Sequence, residues 1–176
     1  NVNELKKFMK AKKTDFCLFA SNFSDADIDI KYYSGYEGSG VLIIPADKKP
    51  FLMINKMESA RVKNYPKVAF ERDFYAKLRK ILSKKNIKAR KIGINEKSMN
   101  IATFRRLKKN FPASYIDVSG AVLEQRKIKS ISEAENIRKS CEIASGIIER
   151  CIMRLGLFTT EKQVKDHLCA SAFRSG

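Results

Sequence analysis

The apolar period changes repeatedly over the first 118 residues of this chain, then stays helical to the end. Leu5, Phe8 and Met9 keep helical spacing, and a strand-like run from Asp15 to Ala20 follows them. Val41–Pro45 and Phe51–Ile54 are short β runs joined by the turn-rich Ala46–Pro50, which predicts an antiparallel hairpin. Lys67–Phe70 reads as another strand. Phe74, Leu78, Ile81 and Leu82 predict a helix, Lys91–Ile94 a strand, Phe104 and Leu107 a helix, and Tyr115–Val118 a last strand. Strands alternating with helices, plus one hairpin, define an α/β domain on a mixed sheet flanked by helices over residues 1–120.

Beyond Gly120 the strand signal vanishes. Residues 121–131 read as a charged connector and 132–176 as two helices. Ser132-x-x-Glu135 fits a capping box, in which the serine oxygen accepts from the Glu135 amide and the glutamate reaches back. The helix it opens carries Ile137, Cys141, Ala144, Ile148, Cys151 and Leu155 as one apolar stripe, with Gly156 expected to end it. Thr160-x-x-Gln163 opens the second helix, with Val164, Leu168 and Ala172 on one side. Two helices with one stripe each cannot enclose a core, so their cover is the first domain, another chain or further sequence. A length of 176 residues, 44% of them apolar or aromatic, suits one domain and part of a second. The start at Asn1 rather than Met suggests numbering that begins inside a longer or trimmed protein.

Composition removes several classes of function. No apolar run approaches the roughly 18 residues of a membrane span, and no apolar stretch of signal-peptide type opens the chain. The cysteines at 17, 141, 151 and 169 form no Cys-x-x-Cys pair and read as reduced core thiols, which implies a cytoplasmic setting. With His167 as the single histidine, a Cys/His zinc site or a histidine-based nucleophile system has almost nothing to draw on. With 36 Lys and Arg against 19 Asp and Glu, the formal charge is +17, and nonspecific attraction to nucleic acid follows. Lys77 to Lys91 alone carries eight positive charges and no acid; Lys77, Lys80 and Lys84 fall opposite Leu78 and Ile81, as on any solvated helix face. No sequence-specific nucleic-acid module accompanies them.

The remaining motifs have bland readings. Ser24–Asp29 alternates acids like a calcium loop, but counting from Asp25 the required glycine and glutamate positions hold Ile30 and Tyr36. A solvated acidic loop fits better. Gly35–Gly40 lacks the Lys-Ser/Thr of a Walker loop and precedes a strand rather than a helix, so it reads as a flexible or positive-φ connection. Ser34 and Ser39 lack the frame of a nucleophile elbow. Glu135, Glu142 and Glu149 recur on one helix face without the Glu-x-x-His of a di-iron bundle and, with Arg138, Lys139 and Arg150 interleaved or adjacent, form a charged outer surface. His167 beside Leu168 reads as partly exposed or core. The residues supply no catalytic set and no metal ligands.

Taken together, Tyr32–Tyr36, Val41–Pro45, Pro50–Ile54 and Met57–Arg61 resemble the N-terminal domain of the creatinase/prolidase family. Arg126–Arg138 and Cys141–Ala144 resemble the entry of Xaa-Pro aminopeptidases and dipeptidases into their catalytic domain. The resemblance implies a ribonuclease-H-like α/β fold for residues 1–120, then the first two helices of an incomplete α+β pita-bread domain. It also implies a homodimer, a proline-containing peptide substrate, and two divalent cations (manganese, cobalt or zinc) whose ligands lie downstream of residue 176, so that none are assigned here. The Tyr32–Gly40 segment is expected to shape the substrate entrance or dimer contact through Tyr33, Ser34, Gly35 and Tyr36, the two tyrosines being exposed; the competing reading puts Tyr33 in the core with Tyr36 covering it. A non-catalytic module of the same fold binding acidic protein or peptide partners is the alternative function.

Overall fold

The structure is a computed structural model that describes residues 2–21, 27–62, 65–71 and 73–175. The chain divides into two compact units, Asn1–Lys127 and Ile128–Gly176. In the first, α1 (Val2–Ala11) leads into β1 (Phe16–Ala20), α2 (Ile28–Ser34) and the hairpin β2 (Val41–Pro45) and β3 (Phe51–Asn55). A 3₁₀ segment, Lys56–Arg61, then precedes β4 (Lys67–Phe70), α3 (Phe74–Lys84), β5 (Lys91–Ile94), α4 (Ile101–Asn110), β6 (Ser114–Asp117) and α5 (Ser119–Lys127).

The six strands form one mixed sheet in the order β4-β3-β2-β1-β5-β6. β1 pairs antiparallel with β2 (Leu18↔Ile43) and parallel with β5 (Cys17↔Gly93); β3 and β4 are parallel, as are β5 and β6. Alternation along the strands feeds two cores. Cys17, Phe19, Leu42, Ile44, Leu52 and Ile54 pack with Leu5 and Met9 of α1, Ile30 and Tyr33 of α2 and Val122 of α5. Phe16, Leu18, Ile43, Phe51, Met53, Ile92 and Ile94 pack with Leu78 and Leu82 of α3 and Leu107 of α4. Strands covered on both faces carry unbroken apolar runs, which is why these stretches were legible as strands.

The predicted strands and hairpin form, β6 beginning one residue earlier than its apolar run. Two helices had no periodic signal. α2 makes only about two turns, and it starts because Asp27 accepts from the amides of Asp29 (2.9 Å) and Ile30 (3.0 Å). α5 occupies most of the stretch read as a charged connector; Ser119 and Val122 are its only buried residues.

The second unit pairs α6 (Ile131–Met153) with α7 (Glu161–Ser175), joined through a 3₁₀ turn at Leu155–Leu157. The capping box forms two residues earlier than predicted. Ser130 is the N-cap: the Glu133 amide donates to its hydroxyl (3.3 Å) and its own amide donates to the Glu133 carboxylate (2.8 Å). Both Ser-x-x-Glu frames fit, and the earlier one adds two residues to the helix. Gly156 does not end α6 either, because the helix stops at Met153 and only Gly35 among the described glycines has positive φ. Thr160 caps α7 as expected, its hydroxyl accepting from the Gln163 amide (3.3 Å).

The predicted α6 stripe is largely uncovered. Cys151 is buried with Ile147, while Ile137, Ile148 and Leu155 are about half exposed. Length explains part of this: at about 1.5 Å per residue, the 15 residues of α7 cannot span the 23 of α6. Of the four thiols, Cys17 and Cys151 are buried, but Cys141 and Cys169 are exposed, which corrects their reading as core residues. Among the described residues no helix is long and apolar enough to cross a membrane.

Gly93 sits where β5 meets β1. A Cβ there would lie 2.5 Å from the Cys17 Sγ and 3.0 Å from Val118 Cγ1. Gly93→Ala is therefore expected to cost about 1–3 kcal/mol in urea unfolding, with part of the loss recovered by Cys17→Ala. An unchanged midpoint would show that the strands can part without cost.

Candidate functional site

Several polar side chains converge where the parallel strands β1, β5 and β6 end, the edge at which α/β sheets place their ligands. Asn95 follows β5 directly, Asp117 closes β6, and Ser119 begins α5. Asp29 arrives from α2 and is fully buried. Asn95 Nδ2 donates to Asp29 Oδ2 at 2.6 Å, Ser119 Oγ lies 2.8 Å from Asn95 Oδ1, and Arg126 of α5 pairs with Asp29 Oδ1 at 3.4 Å. Ser98 Oγ reaches Asp29 Oδ2 at 3.5 Å. A buried carboxylate is tolerable only with such partners, and here one charge and two neutral donors surround it.

Asp117 organises the neighbouring turn. Its carboxylate accepts from the Ser119 amide (2.8 Å), the Ser119 hydroxyl and the Glu96 amide (3.3 Å). Burial works to raise its pKa, but these bonds outweigh burial and hold it below the usual value. Asp27 shifts the other way: burial raises it, with the Asp29 charge adding to the rise, against the α2 amides and Arg126.

The sequence reading placed Asp29 in a solvated acidic loop. Its complete burial corrects that; Asp27 is a helix cap, and residues 24–26 of the proposed loop lie outside the described residues. No motif marked Asn95 or Ser119, although Asn95 directly follows a strand run, and Arg126 stood out only as the first residue of the Arg126–Arg138 block, with no site role.

The Tyr32–Gly40 segment borders this cluster. Tyr33 and Tyr36 are 6% and 8% exposed, so the expectation of two exposed aromatic contacts fails. Tyr33 lies against Phe19, and its hydroxyl donates to Gln125 Oε1 at 2.8 Å, while Tyr32 donates to the Gln125 carbonyl at 3.1 Å. Packing to the sheet wins because each ring can bury its face and still satisfy its hydroxyl, Tyr33 at α5 and Tyr36 at the Ser39 carbonyl and the Glu58 carboxylate, both at 3.4 Å. Ser34 Oγ donates to the Ile30 carbonyl (2.6 Å) and accepts from the Tyr36 amide (3.2 Å). Gly35 ends α2 at φ 70°, a left-handed turn that glycine adopts without a Cβ clash. The exposed charges here are instead Lys31 of α2 and Glu37 of the segment, paired at 2.6 Å.

Among the described residues no three His, Cys, Asp or Glu side chains group closely enough to hold an ion. Asp29 is engaged on both oxygens, and Glu135, Glu142 and Glu149 stand exposed along α6. His167 is half-buried against Phe158, with ring centroids 5.2 Å apart.

Fold and cluster define a three-layer α/β domain that has an internally satisfied polar lock where many such domains have a reactive site. A family model of the creatinase/prolidase N-terminal domain matches residues 2–128, and the chain belongs to that family. It is 29% identical over 153 residues to an uncharacterized peptidase of Staphylococcus haemolyticus, covering 80% of this chain and 42% of the relative. The chain thus spans less than half the length of the curated relatives it matches. In fold it resembles the Xaa-Pro dipeptidase from Bacillus anthracis (TM-score 0.82, 20% identity, 99% of this chain and 48% of that one). The prolidase from Pyrococcus horikoshii is similar as well (TM-score 0.80, 24% identity, again 99% and 48%).

Two measurements test the lock. Asp29→Ala strands the Asn95 amide and Arg126, and should cost about 2–3 kcal/mol in urea unfolding; Asp29→Asn, which keeps an acceptor for Asn95, should cost less. Equal losses would mean that the carboxylate is not the organising group. For Asp27, the raised pKa means its stabilising contribution is full below the ordinary carboxylate value and lost as pH rises through the folded-state value. Asp27→Asn keeps a capping oxygen without that titration, so its stability relative to wild type should improve between pH 4 and pH 7.

Proposed function

We propose that these residues are the N-terminal domain, with the first catalytic-domain helices, of a proline-specific metallopeptidase of Xaa-Pro dipeptidase or aminopeptidase type. The observation that carries this reading is the family match over residues 2–128, together with a likeness in fold that reaches into the second unit of the chain. In this reading the domain contributes to a homodimer and to the entrance through which a proline-containing peptide passes. Lys31, Ser34, Gly35 and Glu37 form the rim, with Tyr33 and Tyr36 as the buried support that fixes its shape.

The hydrolytic step in such an enzyme needs two divalent cations (manganese, cobalt or zinc), which polarise the scissile carbonyl and lower the pKa of a bridging water. The donor set described above does not fit that pair of ions. The proposal therefore assigns the dinuclear centre to sequence outside these 176 residues and gives this chain no hydrolytic step. Binding, orientation and exclusion of competing substrates at the entrance are its part. The cytoplasm is the compartment the proposal expects for the complete protein.

The purified 176-residue chain is expected to leave Xaa-Pro dipeptides intact with manganese, cobalt or zinc, and to sediment as a dimer. Metal-dependent hydrolysis by this chain would overturn the placement of the centre elsewhere. A monomer at the highest soluble concentration would remove the dimerisation role.

A further inference from the structure

β4 is an outer strand. It pairs with β3 through Met53↔Val68 and Ile54↔Ala69, and among the described residues no strand pairs with its other side. An unpaired strand edge offers a row of amides and carbonyls to an incoming segment, and proteins usually guard it with solvated charge or proline. Pro66 and Lys67 stand only at its start, and the Lys67 ammonium turns inward to donate to the carbonyls of Ser59 (2.6 Å) and Val62. Val68, Ala69 and Phe70 are left half-buried beside an open edge.

A groove of about 580 Å³ runs between this edge and α3, lined by Val68, Ile81, Lys77, Lys80, Lys84 and Lys85. Its floor is aliphatic and its rim cationic. α3 contains no acidic residue, and among the described residues none of the four lysines has a carboxylate partner; Lys85 lies over the Phe51 ring at 5.5 Å. Four ammonium groups around one concavity repel each other, and a cation-only rim favours an anionic occupant.

We infer that this edge is a docking site for an extended peptide segment with acidic side chains on either side of an aliphatic one. The segment adds to β4 as a further strand, its aliphatic side chain enters between Val68 and Ile81, and its carboxylates meet Lys77, Lys80 and Lys84. The surroundings favour peptide over nucleic acid. Single-strand binders stack bases on open aromatic faces, whereas Phe70, Phe74 and Tyr75 are half-buried and packed edge-to-face on one another, at 5.4 and 5.0 Å. The inference is independent of peptidase function, because it uses only the β4 edge and α3.

The test is a fluorescence anisotropy titration of the full 176-residue chain with fluorescein-labelled Thr-Glu-Thr-Ile-Thr-Glu-Thr, which puts Glu, Ile and Glu on one face of a strand. Saturable binding is expected, weakened about tenfold or more by Lys80→Glu with Lys84→Glu. The same charge change at Lys48 and Lys49, in the exposed β2–β3 turn, should leave affinity within about twofold. Hydrogen exchange should show added protection at the Val68–Phe70 amides in the presence of the peptide. Four results would overturn the proposal: no saturable binding, equal weakening by both double variants, equal affinity for a peptide with Glu in place of Ile, or tighter binding of an oligothymidylate of matched charge. Circular dichroism of each variant separates loss of binding from loss of fold.

Discussion

β1 carries the first unit. Its five residues hydrogen-bond antiparallel to β2 on one side and parallel to β5 on the other, so both halves of the sheet are tied through one short segment. Phe16 and Leu18 enter one core while Cys17 and Phe19 enter the other. The strand start is held from outside the ladder as well: the Asp15 carboxylate accepts from the Arg90 and Lys91 amides, both at 2.8 Å. Shifting β1 by one residue would exchange the side chains of both cores at once, which makes its register hard to alter. Gly93 shows how tight the packing is, since no side chain fits between β1 and Val118.

The polar lock at the far end of β1, β5 and β6 depends on that frame. Asn95 and Asp117 are presented by strand ends, and α2 and α5 bring Asp29, Ser119 and Arg126 to them. Burying a carboxylate is costly, and the network offsets the cost only while all these elements keep their positions. The consequence is mechanical. Tyr32 and Tyr33 hold segment Tyr32–Gly40 to α5 through their hydroxyls, and Asp29 of α2 holds the preceding turn to Asn95 just beyond β5, so the rim formed by Lys31 and Glu37 rests on a rigid base.

The second unit has a different balance. α6 and α7 bury Ile147 and Cys151 and leave Ile137, Ile148, Ile152 and Leu155 about half exposed or more. Its termini are well made, with a full capping box at Ser130 and a hydroxyl cap at Thr160. Good caps define where the helices begin, but they do not supply the buried area that a free-standing domain needs.

Periodicity alone placed the six strands, the hairpin and most helices, because β strands buried on both faces leave uninterrupted apolar runs and amphipathic helices leave a 3.6-residue rhythm. The family resemblance was legible in the same blocks. Hidden from it were α2 and α5, whose helicity comes from Asp27 and from packing at Ser119 and Val122 rather than from a stripe. The Ser-x-x-Glu frame was ambiguous between Ser130 and Ser132, and local sequence cannot break that tie. Burial of Asp29 and of the rings of Tyr33 and Tyr36 was decided by tertiary structure alone. Asp29 meets Asn95 across 66 residues, Tyr33 meets Gln125 across 92 and Tyr36 meets Glu58 across 22, and a polar side chain is buried only where the fold brings a partner to meet it.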